Sequence, residues 1–151
     1  MNISTADPRI VVGVDGSVSS VIALQRAAEL AEAVGASLEA ITTWEYPVLF
    51  DPYYAATDWS PHDEAAKSLA QTVEDAFPGA PPRPILQTVL QGPAARVLIQ
   101  ESAGAYLLVL GSRGHGGFAG LLLGSVGAAC AAHAECPVLI MHTPKNAVGA
   151  A

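Results

Sequence analysis

The stretch GSRGHGGFAGLLLGSVG, Gly111 to Gly127, holds the residues best suited to chemistry in this chain. Six glycines fall between positions 111 and 124: Gly111, Gly114, Gly116, Gly117, Gly120 and Gly124. Without a Cβ, such a loop can turn its amide N–H groups toward one ligand and let it approach the backbone closely. The loop leaves an apolar run, YLLVL from Tyr106 to Leu110, and ends where a short helix over 125–133 is expected. A helix N-terminus adds unpaired N–H groups and the positive end of the helix dipole. Ser125 supplies a hydroxyl donor there, and Arg113 is the one full positive charge in the loop. Phosphate binding is the chemistry this arrangement serves; the plain alternative, a flexible linker or tight crossover, needs fewer glycines.

Two familiar phosphate patterns fit poorly. A Walker loop needs Gly-Lys followed by Ser or Thr, and no lysine occurs here. Gly114-His115-Gly116-Gly117-Phe118-Ala119 matches a dinucleotide pattern. It starts three residues after the strand and lies in the last α/β unit, however, and the next acidic residue, Glu135, precedes a strand. Ser112 and His115 have no nucleophile elbow or Ser/His/Asp spacing to make them a hydrolase. Cys130, His133 and Cys136 have the spacing C-x2-H-x2-C. Structural zinc takes four ligands, and the obvious fourth, His142, falls at the far end of the last strand, so a buried thiol and a helix-end histidine are the better reading. Asp15 follows the first apolar run and is placed to accept from ribose hydroxyls or to help hold Mg²⁺; its alternative is to cap the next helix, where Ser17 and Ser19 already offer caps.

The elements that must position these groups alternate. Residues 9–14, ending in IVVGV, read as a strand apolar on both faces. Apolar residues then recur at helical spacing from Ile22 to Val34, before Gly35. Strands follow at 38–43, 85–90, 106–110 and 137–142, with helices from Pro61 to about Phe77, from Gly92-Pro93 to Gly104, and over 125–133. The PGAPPRP segment, Pro78 to Pro84, reads as a loop. The order βαβαβαβαβ implies an α/β fold: a doubly wound, five-stranded parallel sheet with helices on both faces and ligands beyond the strands' carboxyl ends; the strand order expected for it is 3-2-1-4-5.

Gly111, two residues, Gly114, nine residues, then Gly124-Ser125 resembles the signature of the ATP-binding universal stress proteins. IVVGVDGS, LLVLGSRGHGG, GSV and HAECPVLI resemble that family's text, in its order, from about residue 8 to 142. The resemblance implies ATP and Mg²⁺ as ligands, with Gly111, Gly114, Gly124, Ser125 and the backbone of Val126 on the triphosphate. It implies that Asp15 contacts the nucleotide, that the backbone near Thr43 meets the adenine edge, and that Val14 and Gly13 form part of the floor. The family often has His-Val where this chain has Thr42-Thr43, a change backbone contacts tolerate. Relatives commonly dimerise through the last strand. Here Val138 to Met141 make that edge apolar, so a homodimer through 137–142 is expected.

The bulk properties suit a single domain over 1–151. Of the 151 residues, 51% are hydrophobic and 14% charged, enough apolar matter for a core and too little charge for disorder. A net charge of −7 with no Lys/Arg run argues against nucleic-acid or anionic-membrane partners. No membrane-span length or signal pattern is visible, and two cysteines suit a reducing cytoplasm. Six of the nine aromatic residues, Trp44, Tyr46, Phe50, Tyr53, Tyr54 and Trp59, crowd one irregular stretch, as a lid, a partner surface or sheet-edge cover. The expected function is a nucleotide-binding regulatory module and not an enzyme. The alternatives are a slow ATPase or nucleotidyl transferase, and a binder of another adenine nucleotide such as cyclic AMP.

Overall fold

Apolar residues on both sides of each central strand demand two helix layers, and the fold supplies them. The computed structural model describes residues 7–47, 59–113 and 123–144. The strands are β1 (Arg9–Gly13), β2 (Ser37–Trp44), β3 (Ile85–Gln91), β4 (Leu107–Gly111) and β5 (Val138–Met141). They form one parallel sheet in the order β3-β2-β1-β4-β5, as expected. The helices are α1 (Val18–Val34), α2 (Pro61–Ala76), α3 (Ala94–Glu101) and α4 (Ser125–His133).

Successive strand residues point to opposite faces, so β1 feeds two cores. Ile10 and Val12 join Leu38, Ala40 and Val109 beneath Leu24, Ala27 and Ala31 of α1 and Leu69 and Val73 of α2. Val11, Ile41, Leu108 and Leu110 pack instead against Leu98 of α3 and Cys130 of α4. Ile10, Val11 and Val12 are wholly buried. Each contributes about 1.5–3 kcal/mol of apolar burial.

Local signals set the helix ends. Ser17 is the N-cap of α1, its side chain accepting from the Ser20 amide, and Gly35 closes the helix in the left-handed region at φ 68°. Ser60 caps α2 by accepting from the Asp63 amide, with Pro61 in the first turn. α2 stops at Ala76, one residue short of Phe77, which serves as its C-cap. Pro93 takes the N-cap of α3, and the helix ends at Glu101, ahead of Gly104. β4 starts and ends one residue later than expected, which makes Gly111 its last residue and not the first of the loop.

At the opposite end of the sheet from the glycine loop, the largely buried Glu39 accepts from Arg9 Nη1 at 2.6 Å and from Thr88 Oγ1 at 2.6 Å. Arg9 Nη2 also donates to the Glu101 carbonyl at 2.8 Å, tying the last turn of α3 to β1. This charged cluster holds α3 against the sheet. Among the described residues no helix is long and apolar enough to cross a membrane.

Candidate functional site

The carboxyl ends of β2, β1 and β4 open into one cleft of about 660 Å³. That volume lies within the usual range for small-molecule sites. Val14, Asp15, Thr43, Gly111, Arg113, Gly124, Ser125 and Val126 all line it. Gly114, the remaining candidate, lies outside the described residues, as does His115.

The β4 side is built from main-chain groups. The Ser112 amide donates to the Met141 carbonyl at 2.8 Å, and the Gly124 amide donates to the Ser112 carbonyl at 2.8 Å. The two ends of the glycine-rich segment are thus pinned together at the tip of β4. Gly124, with φ −72° and ψ 168°, is the N-cap of α4 and has no side chain with which to cap it. The helical ladder begins where the Ala128 amide donates to the Gly124 carbonyl at 3.0 Å. The amides of Ser125, Val126 and Gly127 precede that ladder, and all three residues line the cleft. An uncapped N-terminus of this kind favours an anion.

On the β2 side the geometry selects one residue. The β1 ladder ends at Gly13↔Ile41, and the Val14 amide then donates to the Ile41 carbonyl at 2.8 Å. The β3 ladder runs on to Trp44↔Gln91, and the Trp44 carbonyl accepts from Gly92 at 2.9 Å. In a parallel strand alternate residues address opposite neighbours. Ile41 faces β1 and Trp44 faces β3, so Thr43 turns its N–H and C=O toward the β1 side, past the end of that ladder. A donor and an acceptor from one residue are therefore presented to the cleft. Sequence alone placed this position only to within a residue; strand parity resolves it.

Between the two sides sits Asp15, exposed at the end of β1. Its Oδ1 accepts from the Ser17 amide at 3.0 Å and the Ser17 hydroxyl at 2.5 Å. Asp15 is thus a brace for the cap residue of α1 and not the cap itself, and it keeps a place on the cleft wall. Several polar residues of the cleft have no site role in the sequence reading, among them Ser17, Ser19 and Glu64. Ser17 and Ser19 were read only as caps, and Glu64 of α2 was not singled out, since nothing local shows that α2 reaches the cleft. Of the aromatic residues, Trp44 and Trp59 line the cleft, and Tyr46 stands edge-on to Trp44 with ring centroids 5.2 Å apart. Phe50, Tyr53 and Tyr54 lie outside the described residues.

Cys130 is wholly buried, and burial, with a smaller push from Cys136, raises its thiol above the ordinary value. Burial also raises Cys136, against lowering by a backbone hydrogen bond and by Arg9. Both changes disfavour the thiolate that metal binding and nucleophilic attack require. Cys130 packs with Val11, Ile41 and Leu108 as a small apolar side chain.

A profile of the universal stress protein family matches residues 8–142. A universal stress protein of Mycobacterium tuberculosis (strain ATCC 25618 / H37Rv) is 35% identical over 139 residues, covering 87% of this chain and 44% of the relative. The chain spans less than half the length of the curated relatives it matches. Among solved structures, a universal stress protein in complex with cAMP is 31% identical, with a TM-score of 0.67, covering 93% of this chain and all of that one. The universal stress protein UspA from Lactobacillus plantarum shares the fold at a TM-score of 0.72 and 20% identity, covering 89% of this chain and 97% of that one.

Proposed function

The chain belongs to the universal stress protein family, and from that premise we propose that it binds an adenine nucleotide, ATP with Mg²⁺, and acts as a cytoplasmic regulatory binding module. The observation that carries this reading is the order of groups along one cleft: the paired N–H and C=O of Thr43, then the Asp15 carboxylate, then the uncapped amides of Ser125 to Gly127. Adenine offers an acceptor and an amine donor side by side, which a single backbone residue can match. The phosphates suit the α4 N-terminus, with Ser125 and Arg113 beside them. Mg²⁺ typically takes one or two carboxylates together with phosphate oxygens, so Asp15 fits as its protein ligand. The metal would supply charge neutralisation at the phosphates, and Asp15 is the residue that would hold it.

Fast hydrolysis is not part of this function, because the phosphate segment carries no lysine to stabilise a transferring phosphoryl group. A second reading, cyclic AMP as the ligand, draws support from the related protein solved in complex with cAMP. Calorimetric titration with ATP, with and without Mg²⁺, and with cyclic AMP separates the two. ATP should bind at one site and more tightly with Mg²⁺, and Asp15→Asn should remove about tenfold of that gain, the scale of one charge-assisted contact. Tighter binding of cyclic AMP, indifferent to Mg²⁺ and to Asp15→Asn, would establish the second reading. No saturation with either nucleotide would refute both.

The same proposal includes a homodimer through residues 137–142. All four residues of β5 are half-buried apolar side chains on the last strand of the sheet. A second copy pairing there would satisfy that edge. Sedimentation at micromolar concentration should give twice the chain mass; a monomer would sink this part of the proposal.

A further inference from the structure

Three serines open α1, and two of them do what such serines usually do. Ser17 Oγ accepts from the Ser20 amide at 3.2 Å, and Ser20 Oγ donates to the Ser17 carbonyl at 2.8 Å, both within the helix's own first turn. Ser19 differs. Its hydroxyl, on a residue only 4% exposed, donates at 2.5 Å to the carbonyl of Arg113, 94 positions away. That carbonyl is the first of the glycine-rich segment beyond Ser112, whose own N–H and C=O are already engaged by Met141 and Gly124.

Proton inventory gives this contact to Ser19 alone. A hydroxyl has one proton to donate. The Ser17 proton has a nearby carboxylate, Asp15 Oδ1 at 2.5 Å, whereas its distance to the Arg113 carbonyl is 3.5 Å. The segment's return is held through Ser112 and Gly124, and its departure from β4 is held by Ser19. Gly111 makes the approach possible, since a Cβ there would lie 2.8 Å from the Ser19 backbone carbon.

We propose that Ser19 is a positioning residue for the anion site: by fixing the Arg113 carbonyl it holds the tip of β4 against the first turn of α1, and so aligns Arg113 beside the α4 N-terminus for phosphate. This rests on the nucleotide reading for its ligand but not for its structural half, and the test separates them. Ser19→Ala removes the hydroxyl, and alanine is the best helix former, so α1 is retained. Hydrogen exchange should rise about tenfold at the bonded amides of Ser112 and Gly124 and stay unchanged at 10–13 and 97–101, and ATP affinity should fall about tenfold with adenosine affinity unchanged, each the scale of one lost hydrogen bond. Unchanged exchange at Ser112 and Gly124, a uniform rise everywhere, or equal weakening of ATP and adenosine would each overturn the proposal. If the wild-type protein binds neither compound and Ser19→Ala still frees those two amides alone, the nucleotide reading fails and the positioning role stands.

Discussion

Replacing Gly111 with valine should lower the thermal midpoint by roughly 5–10 °C and abolish nucleotide binding together. A Cβ at this position would lie 2.7 Å from the Ser19 Cβ and 2.8 Å from the Ser19 backbone carbon. Those are fixed parts of α1, and a helix cannot give way as a side-chain tip can. Overpacking of this kind costs about 2–3 kcal/mol, which for a domain of this length corresponds to the stated change in midpoint. Binding fails because relief requires moving α1 away from β4, which breaks the Ser19–Arg113 contact and shifts Asp15 at the same time. Gly13→Ala is the control. Its Cβ would meet Leu110 Cδ2 at 2.5 Å and Leu98 Cδ1 at 2.8 Å, both ends of flexible side chains, so its loss should be smaller. Calorimetric melting of the two variants checks the claim; a Gly111→Val midpoint within 2 °C of wild type would contradict the packing argument.

Ser125→Pro should leave the fold intact and weaken ATP binding about a hundredfold. Ser125 is the first residue of α4, where proline is favoured because the N–H it lacks makes no intrahelical bond. Gly124 before it is already extended, at φ −72° and ψ 168°, the conformation a following proline requires. The substitution therefore removes an amide donor and a hydroxyl donor at no conformational cost. Two charge-assisted contacts account for an effect of that size. Ser125→Ala, which keeps the amide, should lose only about tenfold. Titration of both variants beside their melting curves supplies the measurement. A proline variant that binds ATP as wild type does would remove the α4 N-terminus from the phosphate site.

The elements and the glycine-rich segment were legible because their signals are local. A buried parallel strand must be apolar on both faces, and IVVGV and YLLVL are. Pro61 after Ser60 and Gly35 after Val34 mark helix ends by backbone conformation alone. Density of glycine before Ser125 marks a segment whose main chain can approach a ligand, without reference to the rest of the molecule. Boundaries moved by one to three residues, as at Phe77, at Gly111 and at the end of α3 before Gly104, where hydrogen-bond pairing and not side-chain type decides the end.

Other features depend on pairing across long separations. Thr42 and Thr43 both line the cleft, but which of them turns its backbone N–H and C=O to the β1 side depends on the pairing of β1 with β2, and a shift of one residue reverses the direction of every backbone group. Ser19 looked like one more N-terminal helix serine until the fold carried Arg113 to it. Gly111 looked like a ligand-binding glycine, and the structure gives it a second role as the gap that admits the first turn of α1. The sequence by itself determined the α/β layering, the order of the elements and the glycine-rich character of the segment after β4, because these follow from periodicity and backbone freedom over a few residues. Only the tertiary structure decided which backbone edge is turned to the cleft and which hydroxyl reaches the Arg113 carbonyl, because both are set by the packing of β1, β2, β4 and α1, which meet in space and not along the chain.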